Sequence, residues 1–358
     1  MKMNKGDIFR KGIVFGVIFL FIGAGVTPNM LTTMVKADDS GFNLIAEQYD
    51  GGDNLGIWGD GSYLYTTGTR DGIKAYSFNG AGFTLLDEFD DDQEQIMVWG
   101  DGSYIYVSCG YYGLRAYSFN GNSFSLLDQI DHGGDYEGVW CDGSYVYVTC
   151  EWSGIRAYQF DGNSFTLVDT RDDGGEYAHI WGDGSYLYTA CGEYGIRAYS
   201  FDGNSFTLLD ARDDGRYGRL WGDGTYIYAA CRNGGIKAYS FDGSSLTLLD
   251  ERDDGGHYNA VWGDGAYIYA ACRFDGMKAY SFDGSSFTLL DEFDNGDQEH
   301  MDVWGDGSYI YAVWYDGGIR AYTFGGGGGP SKGNILIYDT YDGCLLYTSD
   351  AADEGLGV

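Results

Sequence analysis

A tryptophan recurs along the middle of this chain at Trp58, Trp99, Trp140, Trp181, Trp221, Trp262 and Trp304, in steps of 41, 41, 41, 40, 41 and 42 residues. Each opens a near-copy of one unit, which at Trp262 to Leu290 reads WGDGAYIYAACRFDGMKAYSFDGSSFTLL. A period near 41 means one supersecondary unit repeated, because no single copy could bury its own apolar face.

The unit around Trp221 reads as four short strands. Arg219-Leu220-Trp221 is the first, and Asp223-Gly224 supplies the positive φ angles of a two-residue hairpin turn. Tyr226 to Cys231 is the second strand, Arg232 to Gly235 a polar connection, Ile236 to Phe241 the third strand and Leu246 to Leu249 the fourth. No segment holds a sustained 3.6-residue apolar period, so a helical repeat, like a two-stranded one, fits worse. Abundant Gly, 60 residues, with 33 Tyr and only 2 Pro suits short strands joined by tight turns.

The ends of the array point to a closed ring. Phe42-Asn43-Leu44-Ile45 matches the fourth strand of a unit, Phe83-Thr84-Leu85-Leu86, yet precedes the first Trp, and the last unit stops after its third strand at Ala321-Tyr322-Thr323-Phe324. The N-terminal strand should therefore complete the last blade. The fold expected is an all-β, seven-bladed propeller of four-stranded antiparallel blades, with no free sheet edge at the closure. Val-Trp-Gly-Asp-Gly-Ser-Tyr-Ile-Tyr-Ala followed by Gly-Ile-Arg-Ala-Tyr resembles the LVIVD-type repeats of secreted and surface propellers over residues 42–324. It departs from them in having Ala-Tyr-Ser-Phe where that motif has an apolar run ending in Asp. The resemblance implies a propeller outside the cytoplasm and no particular activity.

Comparing the seven copies separates two faces. The WGDG turn and the Phe-Asp/Asn-Gly turn barely change. The residues before each Trp and after each second strand differ, and in an antiparallel blade these two connections share the opposite end. Loops that carry binding are free to diverge, whereas turns needed for folding are not. The ligand-binding candidates are accordingly Tyr112, Tyr136, Glu137, Trp152, Tyr177, His179, Tyr194, Tyr217, Arg219, His257, Tyr258, Phe274, His300, Trp314 and Tyr315. The ionisable residues just before the Trp, His179, Arg219, His300 and Asp302, are the candidates for any acid, base or electrostatic catalysis at the channel mouth.

Other recurring residues read as structural. Cys109, Cys150, Cys191, Cys231 and Cys272 share one repeat position, a blade apart and beyond disulfide reach, so buried free thiols are expected. Cys141 faces Ser144 across its hairpin and should also stay free. A cation follows the apolar residue that opens each third strand: Lys74, Arg115, Arg156, Arg197, Lys237, Lys278 and Arg320. If buried these need partners, and the Asp of the WGDG turn or the Asp after Leu-Leu, such as Asp210, should supply them. Acidic runs such as Asp90-Asp91-Asp92 lack the alternating ligands and closing Glu of a calcium loop. Ser200 to Phe206 is one residue short of an Asp-box and is read as a turn. No metal or cofactor is expected.

The flanks are unlike the array. Lys2, Lys5, Arg10 and Lys11 precede the apolar run Gly12 to Val26, and Val35-Lys36-Ala37 forms a small-residue cleavage pattern, so residues 1–37 read as a signal peptide, with an uncleaved anchor as the alternative. The chain carries a net charge of -33, which repels nucleic acid and anionic lipid. Residues 38–324 are expected to form the propeller, residues 325–333 a Gly-rich linker and residues 334–358 a truncated tail. Within that tail, Cys344 to Glu354 resembles a translated sequencing adapter, so residues 344–358 read as an artefact. The chain is thus expected to be a secreted or cell-surface monomer that binds an extracellular protein or glycan. The alternative is a glycosidase- or lactonase-like hydrolase at the channel mouth.

Overall fold

The computed structural model describes residues 41–325, apart from 70, 91, 295 and 297. The signal-peptide, linker and tail readings fall outside these residues. Among the described residues every regular element is a β-strand.

Five sheets have four antiparallel strands in chain order, as in His179–Gly182, Leu187–Ala190, Ile196–Phe201 and Phe206–Arg212. A sixth sheet has seven strands, joined through the long strand Phe42–Gly59. Over Phe42 to Asp53 this strand pairs with Asp316–Phe324, the third strand of the Trp304 unit. Past a bulge between Tyr49 and Gly52 it turns to pair with Leu64–Gly68 as the first strand of the Trp58 unit. The N-terminal segment thus completes the last unit, as the partial repeats required. The Trp-bearing first strands pack each against the next, from Phe42–Gly59 through to His300–Gly305 and back, so that the array closes on itself.

The WGDG sequence explains how neighbouring units fit. A Cβ on Gly222 would lie 2.6 Å from the Trp181 ring, and one on Gly59 would lie 2.6 Å from that of Trp304. In six of the seven units the glycine after the Trp is thus the floor on which the preceding unit's indole lies, and Cys141 takes that place after Trp140. Asp223 accepts the backbone N–H groups of Thr225 and Tyr226 at 2.8 Å and the Tyr228 hydroxyl at 3.0 Å, and every WGDG Asp repeats this arrangement. The turn differs from the expected two-residue hairpin. Gly222 pairs with Ile227, leaving a four-residue loop in which Gly224 alone has positive φ. The Asp side chain closes this wider turn, so the backbone needs no second left-handed residue.

The two uniform turns also grip each other across units. Tyr186 meets Phe241 edge-on at 5.0 Å, and six equivalent Tyr–Phe pairs run round the array to Tyr309 and Phe78. Each such pair contributes about 0.5–1.5 kcal/mol beyond its burial. A further clasp uses the Asp after Leu-Leu. Asp169 accepts the Phe206 N–H of the next unit at 2.8 Å, and Asp291 accepts that of Phe42 at 2.8 Å.

These hydrogen bonds correct the partners expected for the third-strand cations, since both kinds of Asp are already occupied. Lys237, Lys278 and Arg320 instead pair with Glu251, Glu292 and Glu47, which stand directly opposite on the fourth strand. Lys74 pairs with Asp50 at 3.5 Å. Arg156 has no carboxylate opposite it. It donates to the Tyr136 hydroxyl and the Gly133 carbonyl at 2.5 Å each, and its guanidinium lies 4.9 Å from the Tyr136 ring centre. Arg197 repeats the hydroxyl bond with Tyr177. The six described cysteines are buried free thiols, and burial pushes the Cys150 thiol up to about 12.

Candidate functional site

The two variable connections do meet at one end, and they are stitched together there. Gly110 pairs with Tyr136, Glu151 with Tyr177, Gly192 with Tyr217, Arg232 with Tyr258 and Arg273 with His300, each as an isolated backbone bridge to the following unit. This changes the reading of several candidates. Tyr136, Tyr177, Tyr217 and Tyr258 are fully buried and make no surface. Each hydroxyl meets that of a third-strand tyrosine: Tyr136 with Tyr158 at 2.9 Å, Tyr177 with Tyr199 at 3.1 Å, Tyr258 with Tyr280 at 2.7 Å, and Tyr217 with Tyr239. His300 holds the same repeat position and is buried too. Its Nδ1 faces the Gln298 carbonyl at 3.1 Å, and burial, reinforced by Arg320, pushes it down to about 4. Trp314 is likewise buried, beneath the Arg320 guanidinium at 4.3 Å. These six residues are core, not rim. The signal was available in sequence, since a Tyr recurring four residues before four of the Trps obeys the same sameness that marks scaffold.

The remaining candidates divide between the channel and the rim. His179, Arg219 and Asp302 line a central cavity of about 40 Å³. Arg219 Nη1 lies 2.5 Å from Asp302 Oδ2, and its Nη2 donates to the Leu55 carbonyl at 2.8 Å. Asp302 also accepts the Ile57 N–H at 2.9 Å. Burial drives Asp302 up from the usual carboxylate range, while Arg219 and these N–H groups oppose the rise. The Nδ1 of His179 accepts the Leu220 N–H at 3.3 Å, and burial, with Arg219 adding to it, pushes the ring down to about 3, so the imidazole is neutral. The three residues form a brace across the channel, tying together the first-strand segments of four units. A cavity of this size has room for about one water. A larger depression of about 610 Å³ opens at the other end over the WGDG turns, lined by Trp221, Trp262 and Trp304.

The rim holds the accessible groups. Tyr111 is 70% exposed, Trp152 56% and Phe274 50%, and Tyr112 and Tyr194 are exposed as well. All five follow a second strand. The other strongly exposed aromatic, Tyr49, sits on the outer strand at the same end, opposite Gly318. Trp152 and Tyr194 meet edge-on at 6.2 Å across two units. Tyr315 and His257 are half-buried.

Charge is unevenly spread round this rim. Glu137 is pushed up to about 8, first by burial, then by Asp135, Glu151 and Glu94 crowding it, with Arg219 opposing. Arg216, Arg232, His257 and Arg273 stand two and three units further along the chain. His257 is pulled down by burial and then by these three arginines. The residue after each repeated Cys adopts a left-handed backbone. Gly110 and Gly192 do so freely, but Glu151, Arg232 and Arg273 do so with side chains, at φ of 25, 46 and 35°. A side chain in that region costs about 1–2 kcal/mol, and such outliers concentrate at functional sites.

No known protein family matches the sequence, and no curated protein does. Solved structures share the fold. A computationally designed protein, Ika8, superposes with a TM-score of 0.58 at 10% identity, covering 78% of this chain and 99% of the designed one. A candidate 6-phosphogluconolactonase from Bacteroides fragilis gives 0.58 at 15% identity over 68% of this chain and 85% of its own. The extracellular domain of a hybrid two-component system from B. thetaiotaomicron gives 0.58 at 15% identity over 80% of this chain and 42% of its own. At these identities the likeness shows a β-propeller-like fold and nothing of activity.

Proposed function

We propose that this chain is a seven-bladed propeller of LVIVD type, working outside the cytoplasm, that binds an extracellular protein or glycan through its variable face. The blade count draws on seven Trp units and on the double role of the strand Phe42–Gly59. The extracytoplasmic place draws on the N-terminal sequence, and one structural neighbour is itself an extracellular domain. One observation carries the binding role: every strongly exposed aromatic among the described residues lies at the variable end. Exposed Trp and Tyr on a rigid rim are the residues that anchor proteins and stack on sugars. The hydrolase alternative would use His179, Arg219 and Asp302, but their cavity of about 40 Å³ is too small for a sugar ring.

The test is an array of glycans and secreted proteins probed with the full chain. The expected result is a ligand whose binding falls about tenfold or more in the double variant Trp152→Ala, Tyr194→Ala, with the melting temperature unchanged. Full binding by that variant would overturn the reading.

A further inference from the structure

The basic residues of this acidic protein can be accounted for one by one. Among the described residues, seven cations occupy the repeated third-strand position and are buried there. Arg171, Arg212 and Arg252 share a second repeated position, and each pairs with the Asp two residues on at 2.6–2.7 Å. Only Arg216, Arg219, Arg232 and Arg273 remain. All four stand at the variable end, in the connections flanking the Trp221 and Trp262 first strands. A chain with a net charge of -33 has thus placed every described non-repeating cation in one sector.

Within that sector Arg232 differs from the rest. Arg219 pairs with Asp302 at 2.5 Å, Arg273 with Glu299 at 2.5 Å, and Arg216 loosely with Glu193 at 3.9 Å. Arg232 has no carboxylate partner among the described residues, and its Nε is buried with no hydrogen bond. Its Nη1 faces Asn259 Oδ1 at 3.3 Å and His257 Nε2 at 3.4 Å. His257 Nδ1 in turn lies 2.9 Å from Asn233 Oδ1, which fixes Nδ1 as the protonated nitrogen and Nε2 as an acceptor toward Arg232. The guanidinium is therefore held in place by neutral groups and forms no ion pair with a described carboxylate. It stands on a left-handed backbone at φ 46°, where Gly192 serves in the preceding unit. Burial and the neighbouring Arg216 and Arg219 make its own charge harder to hold, and Glu176 and Glu137 oppose this only in part. A half-buried, strained cation with a buried unbonded Nε and no ion-pair partner is costly in the free protein, and an anion would relieve the cost.

We propose that Arg232, flanked by Arg216 and Arg219, is an oxyanion site: it takes a carboxylate, sulfate or phosphate group of the ligand bound on the variable face. Arginine's planar fork matches such groups in two-point geometry. Glu176 and Glu137 act on Arg232 without forming an ion pair with it, and charges more than about 8 Å away are screened at physiological ionic strength. The inference rests on the reading of this face as the ligand face and adds the chemistry that the ligand must carry there.

The probes are glucuronate, inorganic sulfate and inorganic phosphate, titrated calorimetrically into the full chain. At least one is expected to bind saturably at millimolar concentration and to weaken with added sodium chloride. Arg232→Gln should weaken it by about tenfold or more, and Arg232→Lys should fall between. Arg252→Gln, which alters a repeated structural pair, should bind like the parent protein. Preference for glucuronate over the inorganic ions would mark an acidic sugar as the source, and the reverse a sulfated or phosphorylated group. Should Arg232→Gln fail to fold, the exposed Arg216→Gln decides, with a smaller loss expected. Absence of saturable binding by all three anions, or unchanged binding in the arginine variants, overturns the proposal. If array ligands are lost with Trp152→Ala, Tyr194→Ala but kept with Arg232→Gln, the oxyanion site alone fails. If both variants keep them, the ligand face itself is wrong.

Discussion

The two ends of the ring solve the same topological problem, two connections per unit, with opposite economies. At the WGDG end each Asp satisfies two backbone N–H groups and a tyrosine hydroxyl, each Gly leaves room for an indole, and each Tyr meets a Phe of the neighbouring unit. Among the described residues no non-glycine of these turns has a positive φ, and no buried side-chain polar atom of theirs lacks a partner. At the other end carboxylates crowd Glu137, Arg232 is unmatched, and three charged residues take a backbone that glycine would adopt more cheaply. Selection for stability alone would have made the second end resemble the first. The difference is what supports the proposal that a ligand binds at the second end.

The comparison is broken most easily at the uniform end. Asp183→Ala removes a charged acceptor for Ser185 N–H, Tyr186 N–H and the Tyr188 hydroxyl, all at 2.7–2.8 Å. The expected loss is about 2 kcal/mol by denaturant unfolding, and Asp142→Ala and Asp264→Ala should match it because their contacts are the same. Widely different costs among the three would mean that the repeats are not equivalent scaffold.

The variable end should instead show itself through pH. Glu137 titrates near 8 in the folded chain, far above its unfolded value. The folded state therefore holds the proton more tightly. The stability this contributes is complete below the unfolded pKa, about 4.3, and is lost as pH rises toward about 8. Glu137→Gln should flatten the decline, the difference between the two proteins amounting to about 1 kcal/mol over that window because the group is only partly shielded from solvent. Parallel melting curves for the two proteins across the window would show that the carboxylates do not crowd one another in solution.

How much of this was legible in the sequence follows the same division. The strand order, the ring and the closing strand could be read, because turn chemistry and alternation are local and were repeated seven times. What could not be read were strand register within a unit and contacts between units. The third-strand Lys237 faces Glu251, and the Asp expected to serve it, Asp210, reaches across to the Leu246 N–H instead. Both placements depend on register and on how one sheet leans against the next, which no periodicity encodes. Tyr136 and its equivalents were misplaced for a different reason. They lie in a segment that varies, yet are themselves its constant member, and a residue must be compared position by position before a loop is called variable. The arginine sector escaped notice because four basic residues dispersed over Arg216 to Arg273 become a cluster only when two units stand side by side.

The smallest effect is the most diagnostic, because its sign is unusual. Glu151 stands at φ 25°, at the repeat position where Gly110 and Gly192 serve, and its carboxylate lies within the field of Asp135 and Glu176. Glu151→Gly removes the backbone penalty and the repulsion together. The greater freedom of glycine in the unfolded chain opposes part of that gain. The net expectation is a stabilisation of about 0.5 kcal/mol. Gly110→Ala at the equivalent place should destabilise, since its Cβ would meet Glu94 Oε2 at 2.9 Å on a left-handed backbone. Opposite signs at one repeat position would mean that Glu151 is kept against the stability of the fold, as a residue that meets a ligand would be. A loss of stability in Glu151→Gly would assign the side chain a structural role and remove it from the binding face.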